Sequence, residues 1–318
     1  MPNRSSRHDR VWASRRERPL AILGPTASGK STLALALVDR IRTAGGEAEL
    51  ISIDSMQVYR GMNVGTATPM AAEQAQVRHH LIDLVDPSHA FTVSEFQSLA
   101  RDAIDSVRQR GAVPILVGGT GLYLRAVIDD LEIPGQFPDV AAELEADPDT
   151  AGLHGRLAEL DPTAASRMEP TNRRRVVRAL EVTLGSGRPF SSFGSGLDTY
   201  GESEFVQVAL RWDRADLDAR IAARYEQQMA EGFLDEVRWL AQQAPSRTAR
   251  QALGYRELLM HVAGECNIEE ALDLAITRTR QFARRQERWF RRDPRILWVD
   301  APPDVDAVIE HWSAAAGR

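Results

Sequence analysis

Cysteine is nearly absent from this 318-residue chain, where Cys266 stands alone. A disulfide framework and a cysteine-based zinc site are therefore excluded within one chain, and a reducing cytoplasm is the expected setting. Long apolar runs are missing too. No stretch approaches the roughly 18 residues of a membrane span, so no membrane partner is expected. The first 18 residues carry six arginines and no apolar segment, which excludes a secretory signal and predicts a disordered basic tail over residues 1–18. Lysine is the other rarity: of 39 Lys and Arg residues, one is lysine, Lys30. Arginine is a broad fork and lysine a compact point charge, so a chain that uses arginine everywhere else has a specific need at position 30.

The rest is ordinary: 43% hydrophobic and 26% charged, long enough for one large domain or one domain carrying a smaller one. The net charge of −6 at first argues against a nucleic-acid partner. Phosphate contacts are local, however, so segregated charge matters more than the sum.

Pro19–Leu23 reads as a short apolar strand and Ser31–Arg42 as a helix, with Leu33, Leu37 and Ile41 at helical spacing. Glu49–Asp54, His80–Val85 and Val113–Val117 are further strand candidates, with helical stretches such as Val93–Arg110 between them. This alternation predicts an α/β fold: a P-loop-type parallel sheet core flanked by helices. Past about Asp130 the pattern changes. Val140–Glu145, Leu153–Leu160 and Pro162–Met168 are short helical pieces without strands, and Arg173–Leu184 is a stronger helix. Ser186–Thr199 is Gly/Ser-rich and reads as a loop; Phe205–Arg211 and Ile296–Asp300 return to strand character. The expected organisation is a catalytic core over 19–130 and 196–318, interrupted by an inserted small all-helical domain over 131–195.

The run Gly24-Pro25-Thr26-Ala27-Ser28-Gly29-Lys30-Ser31 fills every fixed position of G-x-x-x-x-G-K-[ST], with a strand before it and a helix after. Glycines let backbone N–H groups converge on phosphate oxygens, and the helix N-terminus adds a favourable dipole. Lys30 supplies charge, and the Ser31 hydroxyl is a candidate Mg²⁺ ligand. The loop should hold a diphosphate or triphosphate. A kinase or NTPase keeps a second acid at the end of a neighbouring strand for the metal. Here Val113–Val117 runs instead into Gly118-Gly119-Thr120-Gly121, a hydroxyl without a carboxylate. Asp54 ends the second strand, at the edge where ligands bind in such sheets. A strand-end aspartate is often a helix cap, but the polar run from Asp54 to Gly61, followed by Gly65-Thr66-Ala67, favours a site.

Leu272–Arg292 contains Arg278, Arg280, Arg284, Arg285, Arg288, Arg291 and Arg292. At 100° per residue all seven fall on one arc, and Leu272, Ala275, Ile276, Phe282, Ala283, Trp289 and Phe290 occupy the other. Between the first and the last of these arginines Glu287 is the one acid. A solvated face normally mixes signs, so this one is read as a polyanion contact. Arg173, Arg174, Arg175 and Arg178 form a second cluster.

Together these segments resemble the bacterial tRNA dimethylallyltransferases, also called tRNA isopentenyltransferases. The matching stretches are GPTASGKST (24–32), ISIDSMQVYRGMNVGTATP (51–69), HHLIDLVDP (79–87), PILVGGTGLYLRA (114–126), RRRVVRALEV (173–182), RIAARY (220–225), QALGYREL (251–258) and TRQFARRQERWFRR (279–292). The resemblance implies transfer of a dimethylallyl group from dimethylallyl diphosphate to the exocyclic amine of the adenosine just 3′ of a tRNA anticodon. The loop residues Gly24, Pro25, Thr26, Ala27, Ser28, Gly29, Lys30 and Ser31 would then hold a diphosphate leaving group with Mg²⁺. Asp54 would act as base, with Thr120 and Arg224 as further catalytic groups. For RNA contact the resemblance implies Asp54, Ser55, Met56 and Gln57; Arg174, Arg175, Val176, Val177 and Arg178; Gln251, Gly254, Tyr255 and Arg256; and Arg284, Arg285, Gln286, Arg288, Trp289 and Arg291. The helical insertion would embrace the anticodon stem-loop. Nothing in the sequence marks an obligate protein partner. The family run usually reads GMDIGTAKP; Asn63 and Thr68 depart from it by removing an acid and a base together.

Three other readings compete. A P-loop small-molecule kinase would consume ATP and has no use for the Arg284–Arg291 face. An adenylate isopentenyltransferase acting on free nucleotides needs neither basic helix nor insertion. A non-enzymatic RNA-binding module leaves Asp54 and Lys30 unexplained.

Overall fold

The computed structural model describes residues 18–194, 196–197 and 199–316. The expected basic tail, apart from Arg18, lies outside the described residues. Two compact units are present: residues 1–128 with 202–318, and residues 129–201.

The larger unit begins with β1 (Leu20–Leu23), α1 (Lys30–Thr43), β2 (Ala48–Ile53), α2 (Ala71–Gln76), β3 (His79–His80), α3 (Val93–Gln109), β4 (Val113–Gly118) and α4 (Gly121–Ile128). The smaller unit holds α5 (Pro138–Ala146), α6 (Thr150–Leu160), α7 (Pro162–Ser166) and α8 (Arg173–Ser186). The larger unit resumes with β5 (Val206–Arg211), α9 (Arg214–Ala230), α10 (Phe233–Ala241), α11 (Arg247–Arg250), α12 (Tyr255–Val262), α13 (Ile268–Phe290), β6 (Ile296–Asp300) and α14 (Val305–Ala316).

Six parallel strands among the described residues form one sheet in the order β3-β2-β4-β1-β5-β6. The expected α/β class is the one observed. β1 shows why both faces are covered. Leu20 and Ile22 join the core beneath α1 and α14, while Ala21 and Leu23 join the core on the opposite face; all four are fully buried. A strand buried on both sides reads as a continuous apolar run, and each buried leucine or isoleucine contributes roughly 1.5–3 kcal/mol. The order β2-β4-β1 sets the segments after these three strands side by side at the C-terminal edge, where ligands bind in open α/β sheets.

One expected strand is shorter than the sequence suggested. His80–Val85 pairs only through His79–His80, because Leu81 and Asp83 turn through φ values of 62° and 51°. Beyond it, Val85 meets Tyr59 in an isolated parallel bridge outside the sheet.

The smaller unit has its own core of Leu144, Leu153, Leu157, Val176, Val177 and Leu180. Its polar ties are local. Asp161 caps α7 through Ala164 N and accepts from Ser191 N and Oγ. Arg173 donates to the carbonyls of Leu144, Glu145 and Asp147 at the end of α5, so orphaned helix-end acceptors are satisfied by one guanidinium.

Candidate active site and RNA-facing surface

The loop after β1 is shaped by backbone that only some residues tolerate. Gly24 has φ 148°, and a Cβ there would lie 2.9 Å from Ser28 Oγ. Gly29, at φ 86°, caps α1. Trp212 Nε1 donates to Ser28 O at 2.9 Å and Arg220 Nε to Ala27 O at 2.9 Å, with the Arg220 guanidinium stacked 4.4 Å from the Trp212 ring. These contacts hold the outer side of the loop. On its inner side Lys30 Nζ donates to Pro25 O at 2.7 Å, and Arg224 Nη1 donates to Thr26 Oγ1 at 3.2 Å.

Burial pushes the Lys30 ammonium down to about 8, Asp54 works against this, and Arg224 adds to it. Burial also lowers Arg224, opposed by Tyr225 and Asp54. Two desolvated cations thus face one cavity, and an anion placed between them relieves the repulsion.

That cavity has a volume of about 300 Å³. Thr26, Lys30, Ser31, Asp54, Thr120 and Arg224 line its polar part, and Met56, Ile221, Leu253 and Phe282 contribute apolar wall. Asp54 Oδ1 accepts from Met56 N at 2.9 Å, a local turn that holds the carboxylate at the sheet edge. Thr120 Oγ1 accepts from Ser55 N at 3.3 Å. The segments after β1, β2 and β4 therefore meet around one space. Tyr225 hydroxyl bonds Thr279 Oγ1 at 2.9 Å in the wall, and burial pushes its pKa up to about 12, so it stays neutral.

A family model described as IPP transferase matches residues 57–293. Over 304 residues the chain is 47% identical to a tRNA dimethylallyltransferase of Thermobifida fusca, covering 92% of this chain and 94% of that one. The chain belongs to the IPP transferase family. A tRNA dimethylallyltransferase of Streptomyces coelicolor is 45% identical over 287 residues, 89% of this chain and 90% of its own. Among solved structures, the full-length tRNA isopentenylpyrophosphate transferase of Bacillus halodurans superposes with a TM-score of 0.68 at 38% identity, covering 95% of this chain and 96% of that one. A eukaryotic dimethylallyltransferase acting on tRNA gives a TM-score of 0.75 at 25% identity, covering 94% of this chain and 77% of that one. The resemblance drawn from the motifs is thus to the family that matches.

Of the RNA-contact residues implied by that resemblance, Asp54, Ser55, Met56, Gln57, Gln251, Tyr255 and Gln286 line the cavity. Arg256, Arg284, Arg285, Arg288 and Arg291 are exposed in the larger unit, and Arg174 and Arg175 in the smaller one. Several are largely buried. Val176 and Val177 are core residues of the smaller unit, and Arg178 is spent on Glu181, Pro134 O and Gly135 O. Tyr255 is fully buried, Gly254 is buried, and Trp289 is half-buried with its indole over Gly121. Gln286 is only 8% exposed. None of these is exposed as the arginines are.

The arginine arc also needs correction. Arg278 pairs with the buried Glu257 of α12, Arg284 lies 3.9 Å from the Asp218 carboxylate of α9, and Arg291 pairs with Glu287 of α13 itself. Acids on other helices neutralise part of the face, and periodicity along α13 alone does not reveal them.

Sequence reasoning missed Glu236. Its carboxylate accepts from Asn63 N and Val64 N at 2.8 Å, from Gly65 N at 3.0 Å, and from the Tyr255 hydroxyl. Gln228 Nε2 donates to Val64 O and Gly65 O, and Gln57 Nε2 to Thr66 O and Ala67 O. The loop that departs from the family run is thereby fixed as one wall of the cavity. Asn63 enters through its backbone, and Thr68 Oγ1 bonds Thr66 Oγ1 at 2.8 Å, so neither departure leaves a gap. A signal was present: Glu236 lies on the same helical stripe as Phe233, Val237 and Leu240, and an acid on an apolar stripe needs partners. Glu236→Ala is expected to destabilise the fold by about 3 kcal/mol, the scale of several donors losing a charged acceptor. Denaturant unfolding checks it; an unchanged midpoint would mean that the loop holds itself.

Proposed function

We propose that this chain transfers a dimethylallyl group from dimethylallyl diphosphate to the exocyclic N6 amine of the adenosine 3′-adjacent to the anticodon of tRNA, releasing diphosphate. The observation that carries the reading is one cavity in which Lys30 and Arg224 face the Asp54 carboxylate beside an apolar wall. The second strand-end acid that a kinase or NTPase keeps for its metal is replaced after β4 by Gly118-Gly119-Thr120.

The adenine amine attacks C1 of the allylic diphosphate through its lone pair. The C1–O bond breaks, its electrons leave with diphosphate, and the amine proton passes to Asp54. An exocyclic amine is a weak nucleophile, so removing its proton as the bond forms lowers the barrier. Lys30, Arg224, Thr26 and the loop N–H groups receive the charge that develops on the leaving oxygen. Thr120 anchors the turn that carries Asp54 through Ser55 N. Met56, Ile221 and Phe282 keep water from the allylic carbon. The target base leaves its stack to reach the cavity.

Mg²⁺ suits this donor set. Among the described residues no trio of His, Cys, Asp or Glu stands close enough to hold a metal by itself. The hard hydroxyl oxygen of Ser31 fits an ion that keeps waters and takes substrate phosphate oxygens as its other ligands. Bound there, it would neutralise charge on the departing diphosphate. The tRNA lies against Arg284, Arg285 and Arg288, with Arg174 and Arg175 as further backbone contacts. Among the described residues no helix is long and apolar enough to cross a membrane, and tRNA as substrate sets the reaction in the cytoplasm.

Incubation with unmodified tRNA, dimethylallyl diphosphate and Mg²⁺ is expected to yield one prenylated adenosine per tRNA by mass spectrometry. Product from free AMP but none from tRNA would overturn the reading.

A further inference from the structure

We infer that Gln286 is a positioning residue that sets the spacing between the leaving-group cradle and Asp54, and is not an RNA contact; the inference rests on the transfer proposed above. Gln286 belongs to the buried stripe of α13 with Thr279, Ala283 and Phe290. Its Oε1 accepts from Thr26 N at 2.9 Å, and its Nε2 donates to Gly119 O at 2.9 Å. One side-chain amide therefore ties the loop after β1 to the loop after β4. The orientation follows from the partners: a flipped amide would set donor against donor and acceptor against acceptor. The approach is close enough that a Cβ on Gly119 would stand 2.3 Å from Nε2.

Both tied residues lead directly to reacting groups. Thr26 offers its hydroxyl to Arg224 on the leaving-group side. Gly119 precedes Thr120, whose hydroxyl holds Ser55 N beside Asp54. The covalent chain and these four hydrogen bonds join Arg224, Thr26, Gln286, the Gly119–Thr120 turn, Ser55 and Asp54 in one path. Attack on the allylic carbon requires the amine between proton acceptor and leaving group at near-contact distance, and a displacement of about 1 Å costs on the order of 100-fold in rate. A neutral, buried amide contributes nothing to phosphate attraction. The exposed arginines of the same helix, Arg284, Arg285 and Arg288, are suited to that.

Gln286→Leu keeps the shape and removes both bonds. It is expected to lower kcat at saturating tRNA by about 100-fold and to weaken binding of inorganic diphosphate about tenfold, as two loop anchors are lost. Its tRNA Kd and salt slope should match those of the parent. Arg288→Ala should do the reverse, weakening tRNA binding and flattening its salt slope by about one. Gln286→Glu adds a readout that a purely structural role would not move. The ionised carboxylate opposes Gly119 O, whereas the protonated acid restores both bonds. Its kcat, normalised to the parent at each pH, should therefore rise as pH falls through the raised pKa of a buried acid. Lys30, Asp54 and Arg224 line the same cavity in both proteins, and the normalisation removes their contribution. A tRNA Kd weakened in Gln286→Leu, full activity there, or a flat normalised profile in Gln286→Glu would each overturn the inference. If the parent made no prenylated tRNA, the proposed transfer would fall. Calorimetry with inorganic diphosphate would still judge the brace, and unchanged affinity in Gln286→Leu would end it.

Discussion

Asp54→Ala is expected to reduce kcat by about a thousandfold, the middle of the range for losing a general base, with tRNA affinity within about twofold of the parent. The carboxylate opens onto the cavity from the end of β2, and the turn it makes with Met56 N fixes its direction. Alanine removes both charge and turn. Asp54→Asn keeps the acceptor for Met56 N and removes only the proton-accepting charge, so it separates the two effects. If asparagine is as slow as alanine, basicity is what matters; if asparagine is active, the turn is. Single-turnover rates with saturating tRNA and filter binding measure the two quantities. A collapse of tRNA affinity in either variant would make Asp54 chiefly a binding residue.

The second large effect concerns Lys30. Lys30→Ala should lower kcat/KM for dimethylallyl diphosphate by about 10²–10³-fold, as expected when one preorganised donor to a leaving oxygen is lost. Lys30→Arg should not restore it, because a planar guanidinium does not fit where a compact ammonium sits between Pro25 O and Ser28 Oγ. Burial has already brought the Lys30 pKa down to about 8, and this adds a pH signature. The charged form binds the anion, and the bound anion in turn favours the charged form. Diphosphate affinity should therefore be insensitive to this group below about pH 8. Above it, affinity should fall by up to about tenfold per pH unit until the raised pKa of the complex is reached. Calorimetric titration between about pH 7 and pH 9.5 tests the slope as the difference between the parent and Lys30→Ala, which cancels the ionisation of diphosphate itself. No difference between the two profiles would remove Lys30 from diphosphate binding.

What was legible in the sequence was what one segment can specify alone. The phosphate loop needs only a strand, two glycines, a lysine and a helix start, all within residues 19–33, and its geometry followed. The α/β alternation was legible for the same reason, since LAIL of β1 is apolar at every position and buried on both faces. Chemistry shared between segments was not legible. The arginine arc of α13 could be drawn from periodicity, yet Glu257 and Asp218, which occupy part of it, come from other helices. His80–Val85 has strand composition, but positive φ at Leu81 and Asp83 ends the pairing after two residues.

The sharpest division is between the residues that face the substrates and those that hold them in place. Lys30, Ser31, Asp54, Thr120 and Arg224 could be named in advance because their residue types, at the ends of predicted strands or in matching motifs, announce charge or hydroxyl chemistry. Glu236, Gln228 and Gln286 announced only a polar group on an apolar helical stripe. Their partners are backbone groups of the segments after β1, β2 and β4, remote in the chain and adjacent only once the parallel sheet sets those strands side by side. A backbone N–H or carbonyl carries no residue identity, so no pattern in the sequence could pair it with a distant side chain. The sequence by itself therefore determined the phosphate loop, the fold class and the family. The tertiary structure alone decided how far apart the loop and the aspartate are held, and which of the polar side chains hold them there.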